Sequence, residues 1–164
     1  MHTENSLVRL VVFSVLVFLI AVPAMVVAET APSRDELLQK RADDMCANIE
    51  QKNFNAIWEA LAASTQEANG GVSRAFALMH EHSFGGKTVF CANAPKIRRI
   101  NEWLGLSHYS IVVVSDSDTT VACDGMVWVW EREHWYFFQH FSCAREQEAI
   151  DSMMKWSDIK NAPK

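Results

Sequence analysis

Residues 121–143 read VACDGMVWVWEREHWYFFQHFSC. Two runs rich in aromatic and β-branched residues flank a charged tetrapeptide, Glu131-Arg132-Glu133-His134. That pattern predicts a β-hairpin with its turn centred near Arg132-Glu133. Asp124-Gly125 inside the first strand predicts a bulge that bends the sheet. Side chains alternate along a strand, so Met126, Trp128 and Trp130 share one face. By the same rule Tyr136, Phe138 and His140 share a face of the second strand. The hairpin therefore carries two aromatic faces. Core plus outer sheet surface is one account of them. The other buries one face under helices and the other against a partner subunit, which predicts a homodimer through the sheet.

Upstream, Tyr109–Val114 is a strand, Ser115–Asp118 a polar turn and Thr119–Trp130 the next strand, completing an antiparallel meander. Before the meander the period is helical. Ser33 and Glu36 form a capping box, and Leu37, Leu38, Ala42, Met45, Cys46 and Ile49 follow as an apolar stripe. Asn53 caps a second helix with Phe54, Ile57, Trp58 and Leu61 on one face. Asn69-Gly70-Gly71 breaks the chain, Val72, Phe76 and Met79 mark a third helix, and Gly85-Gly86 breaks it again. Lys87–Cys91 is a short strand. Lys96–Leu104 reads as a helix, with Pro95 in its first turn, Ile97, Ile100 and Leu104 inward and Gly105 as its stop. Residues 146–164, with Ile150, Met153, Met154 and Trp156, read as a C-terminal helix or a tail. Helices first and a meander last give an α+β fold, its curved sheet wrapped by helices around a conical cavity.

The start of the chain has a different character. Arg9 precedes the apolar run Leu10–Val22, Pro23 interrupts it, and Val26-Val27-Ala28 offers small residues for a signal peptidase. Residues 1–28 are expected to be a cleavable signal peptide, followed by a single domain over 29–164. The alternative is an uncleaved membrane anchor. Cleavage would make the chain periplasmic or secreted. Formal net charge is -5, and the segment removed holds one Glu and one Arg, so the balance stays. A mildly acidic chain without a basic block argues against nucleic acid as a partner.

Four cysteines in an exported chain favour two disulfides, with three connectivities open to the sequence. Zinc is the competing use, but no C-x-x-C pair is present, and no metal is expected. A turn near Arg132-Glu133 brings Cys123 within about a residue of Cys143, which predicts a cross-strand disulfide. By elimination Cys46 pairs with Cys91.

Three pieces of the sequence resemble the NTF2-like superfamily, in particular its SnoaL-like and ketosteroid-isomerase-like branch. They are the helix pair with Phe54 and Trp58, the segment Lys96–Leu104 running into His108-Tyr109, and the closing strand with Trp135, His140 and Ser142. The resemblance covers about two-thirds of residues 29–164. It implies a conical cavity, a dimer through the sheet, and His140 pointing inward. An isomerase-like site of this kind would use one carboxylate base, here Asp124, with Tyr109 or Tyr136 as hydrogen-bond donor. The longer Gly70–Gly86 segment, the C-terminal extension and the four cysteines depart from the pattern.

Asp124 and His140 are thus the catalytic candidates. Trp58, His108, Tyr109, Trp128 and His140 are the ligand-binding candidates. His80-Glu81-His82 cannot chelate a metal from a helix, where i and i+2 diverge. Asp116 and Asp118 are turn carboxylates. No nucleophile elbow, P-loop or dinucleotide fingerprint is present, and no cofactor is expected. These features predict an exported, non-enzymatic domain that binds a small apolar ligand or a protein partner. One alternative is an isomerase, cyclase or dehydratase using a cavity Asp or His. A further one is a secreted inhibitor or immunity-type protein. Whether Asp124 and His140 share an open cavity with a donor separates the first two.

Overall fold

The computed structural model describes residues 31–160. Helices α1 (Arg34–Glu50), α2 (Phe54–Ala60), α3 (Ala63–Ala68) and α4 (Ser73–Phe84) come first. Strands β1 (Thr88–Cys91), β2 (Lys96–Arg99), β3 (Leu104–Val114), β4 (Thr119–Glu131) and β5 (His134–Ser142) follow. A 3-10 turn then leads into α5 (Glu146–Lys160). The fold is α+β, with helices on a strongly curled antiparallel sheet. The signal segment expected at residues 1–28 lies outside the described residues.

The sheet is built on β3. Its outer half, Ile111–Val114, pairs with β1, and Gly105–His108 pairs with β2, so these short strands lie end to end along one edge. Along its other edge β3 pairs with β4 over eleven residues, and β4 pairs with β5. The hairpin turn falls at Arg132 and Glu133, with φ of 50° and 65°. Positive φ at both central positions matches the right-handed twist of the flanking strands.

The first helix starts as its sequence dictates. Ser33 Oγ accepts the amide of Glu36, whose carboxylate takes the amide of Ser33. Asn53 caps α2 through the amide of Ala56. Leu38, Ala42 and Met45 of α1 pack on the concave face against Tyr109, Met126, Trp128, Trp135 and Phe137. Gly105 lets α1 approach this closely: a Cβ there would meet Leu38 Cδ2 at 2.7 Å. The convex face carries Leu104, Leu106, Val127, Val129 and Phe141, and α5 covers it with Ala149 and Met153. The second aromatic face is therefore covered in part from within the chain.

Two expectations are corrected. Lys96–Leu104 is not a helix but strand β2 and a turn. The Asn101 side chain accepts the amides of Trp103 and Leu104, at 2.9 and 2.8 Å, closing that turn as a helix cap would close a helix. The spacing of Ile97, Ile100 and Leu104 suits a helix, but no good N-cap precedes it, and pairing along β3 satisfies the backbone instead. Nor does Asp124-Gly125 bulge: β4 stays in register there, opposite Ser142 and Phe141. Gly125 is small because the Phe141 ring lies on it, in the space a Cβ would fill. The irregularity sits on β5, where Val127 faces Gln139 and Trp128 faces Phe137, leaving Phe138 as the extra residue.

Two disulfides tie the layers. Cys46–Cys91 joins α1 to β1, and Cys123–Cys143 links β4 to the end of β5. Both pairings match the sequence expectation, and they indicate an oxidising, extracytoplasmic environment. Among the described residues no helix is long and apolar enough to cross a membrane.

Candidate functional site

The bulge at Phe138 decides which way His140 points. Unbroken alternation would leave it beside Tyr136 and Phe138. One extra residue reverses the parity, so His140 lies opposite Met126 and against the Phe137 ring, with centroids 4.7 Å apart. Register brings the other members to the same place. Tyr109 of β3 lies directly opposite Asp124 of β4, and His140 is diagonal to Asp124 across the β4–β5 pair.

The three side chains meet. Tyr109 Oη donates to Asp124 Oδ2 at 3.1 Å. His140 Nδ1 is 3.3 Å from Tyr109 Oη and 3.4 Å from Asp124 Oδ2. Asp124 Oδ1 accepts the Gly125 amide at 2.9 Å. The cluster grades from buried to wet: Tyr109 is 1% exposed, whereas the Asp124 and His140 side chains are 25% and 52% exposed.

Environment sets their protonation. Burial pulls the Asp124 carboxyl upward, but His140, the Gly125 amide and Tyr109 together outweigh it and hold the group below its usual value. Burial first, and then the Asp124 carboxylate, drive the Tyr109 phenol far above its ordinary value, so it remains a proton donor. An ionised Asp124 accepts only, which places a proton on His140 Nδ1 and, in the neutral ring, leaves Nε2 as an acceptor.

The cluster opens onto a cavity of about 390 Å³ between α1, α2, α4 and the sheet. This volume lies within the range of small-molecule sites, about 300–1,000 Å³. Its walls include Met45, Ile49, Ile57, Phe76, Phe84 and Phe137, and Asp124 and His140 line it on the polar side. A wider groove of about 480 Å³ along Arg41, Asp44, Asn48 and Glu59 is polar by contrast.

His80 also lines the cavity, and its role was missed in the sequence. It packs on Phe76 at 4.2 Å and stacks with Phe54 and Phe84, each at 5.8 Å. Burial, and then the His140 charge, hold its imidazole below the ordinary histidine value. The signal was legible: Phe76, His80 and Phe84 recur at intervals of four on one helix face.

The remaining candidates stand elsewhere. Trp58 packs against Phe76, at 5.3 Å between centroids, without lining the cavity. Trp128 is fully buried and donates its indole N–H to Ser107 Oγ at 2.9 Å, a core role. His108 lies on the opposite face of the sheet, edge-on to Phe141 and 2.9 Å from Glu146, so it helps to dock α5. Tyr136 also belongs to the convex-face cluster. Among the described residues no group of three His, Cys, Asp or Glu side chains is placed to hold a metal ion.

No protein-family model matches the chain, and no curated protein matches it. Among solved structures, the chain is similar to a SEC-C motif containing protein from Rhodopseudomonas palustris. The identity is 11%, 67% of this chain and 78% of the other are covered, and the TM-score is 0.46. It is also similar to a domain of unknown function with a cystatin-like fold from Nostoc punctiforme. There the identity is 14%, the coverage 73% and 88%, and the TM-score 0.39.

Proposed function

We propose that this chain is an exported NTF2-like domain whose cavity binds one small, mainly apolar molecule. The observation that carries the reading is the apolar hollow of about 390 Å³, which the protein's own side chains leave unfilled. Filling a core to normal density is the default in folded proteins, so a hollow of this size with polar groups on one side supports a binding role. The curled sheet wrapped by helices supports the NTF2-like assignment. The disulfides support export. A neutral apolar dye such as N-phenylnaphthylamine should bind saturably at one site per chain, with a rise in fluorescence. Leu61→Trp, which places an indole in the hollow, should abolish the rise. Absence of saturable binding by the native chain sinks the reading.

A second reading is catalytic, and the Tyr109–Asp124–His140 cluster favours it. His140 Nε2 would take a proton from a bound substrate, with Asp124 holding the ring and stabilising the imidazolium. In that case Asp124→Asn and His140→Gln would stop turnover while leaving dye binding in place. The shared cavity with Tyr109 as donor is the arrangement this second reading requires, and with Asp124 held acidic the base role in it falls to His140.

A further inference from the structure

The cavity's polar side has a definite polarity. Asp124 presents a carboxylate whose second oxygen already takes the Gly125 amide, and His140 presents Nε2, an acceptor while Nδ1 carries the ring's one proton. Two hydroxyl donors nearby, and one of the two Asn69 amide hydrogens, are committed. The Tyr109 hydroxyl proton goes to Asp124, the Thr65 hydroxyl to the Phe138 carbonyl, and the Asn69 amide N–H to the Thr65 carbonyl. Gln139 contributes an amide of either polarity. Among the described residues no Lys or Arg lines the hollow, and Asp124 is the one carboxylate there.

We infer that the cavity takes a neutral apolar molecule bearing a hydroxyl group, an alcohol or a phenol, and turns away the matching carboxylate. The inference rests on the ligand-binding reading and names the chemical class for that same site. A ligand hydroxyl donates to Asp124 or His140 and completes the cluster. A ligand carboxylate meets the Asp124 charge with no Lys or Arg on the described wall to offset it, in an apolar hollow where that repulsion is poorly screened. His80 does not offset it at neutral pH. The low proton affinity of His80, set by burial and by His140, keeps it uncharged there.

The test compares three probes of one skeleton, naphthalene, naphthol and naphthoate, by calorimetry on the native protein at neutral pH. Naphthol should bind about tenfold more tightly than naphthoate, the ratio expected from about 1.4 kcal/mol of unscreened repulsion. Asp124→Asn should bring the two within about twofold of each other, chiefly by improving naphthoate. Naphthoate binding as tightly as naphthol to the native protein overturns the inference while leaving the cavity reading intact. So does a folded Asp124→Asn variant with an unchanged ratio. Failure of all three probes, naphthalene included, overturns the cavity reading and this inference with it. Should Asp124→Asn not fold, the ratio on the native protein decides alone.

Discussion

At the scale of single residues, Asp124 and His80 are perturbed in the same direction by different physics. Hydrogen bonds from His140, Gly125 and Tyr109 keep Asp124 acidic against the pull of burial. Burial itself keeps His80 neutral. The consequences for stability have definite signs. The Asp124 contribution is present above the unfolded value near 3.8 and is lost as pH falls through the lower folded value. For His80 the unfolded chain takes up a proton near 6.5 while the native ring resists it, so stability falls as pH drops below that point. His80→Phe keeps the aromatic row and removes the titration. Thermal melts from neutral to mildly acidic pH should therefore show a shallower loss in the variant than in the parent. An equal or steeper loss would contradict the assignment of that acid sensitivity to His80.

At the scale of elements, β5 and α5 carry the fold's two least obvious decisions. The hairpin's aromatic content, its turn and the nearness of Cys123 to Cys143 were all legible in residues 121–143. The face of His140 was not. Alternation is a local rule, and a single unpaired residue at Phe138 reverses it with no sequence mark such as glycine or proline. The same holds for β2, whose apolar spacing fits a helix until β3 offers it hydrogen-bond partners. α5 packs on the convex face, and its packing is testable. Met153 is 1% exposed and Met154 42% exposed. Met153→Ala should cost about 2–4 kcal/mol in urea unfolding. Met154→Ala should stay within about 0.5 kcal/mol of the parent. Equal effects would mean that α5 does not dock on the sheet by this face.

For the whole molecule, one covalent link joins a helix to the sheet and a second closes the β4–β5 pair. Cys123–Cys143 closes a loop of 20 residues and Cys46–Cys91 one of 45. In the chain-entropy account these stabilise by about 3 and about 4 kcal/mol respectively. Paired Cys→Ser variants should follow that order in denaturant midpoint. Loss of Cys46–Cys91 should also loosen the cavity, because α1 supplies Met45 and Ile49 to its wall. Free thiols at these positions in the native protein, measured by alkylation and mass spectrometry, would refute both links.

The sequence by itself determined the α+β class, the meander with its turn, the α1 and α2 caps and both disulfide pairings. These rest on short-range rules: period, capping chemistry and the geometry of a hairpin. It also nominated Asp124, His140 and Tyr109. Only the tertiary structure decided that these three meet, that His80 joins them on the cavity wall, and that Trp128 and His108 do not. Each of those outcomes depends on strand register and on which face a neighbouring element covers. Such long-range pairings are set by the whole chain's hydrogen-bond and packing balance, and no local window of residues encodes them.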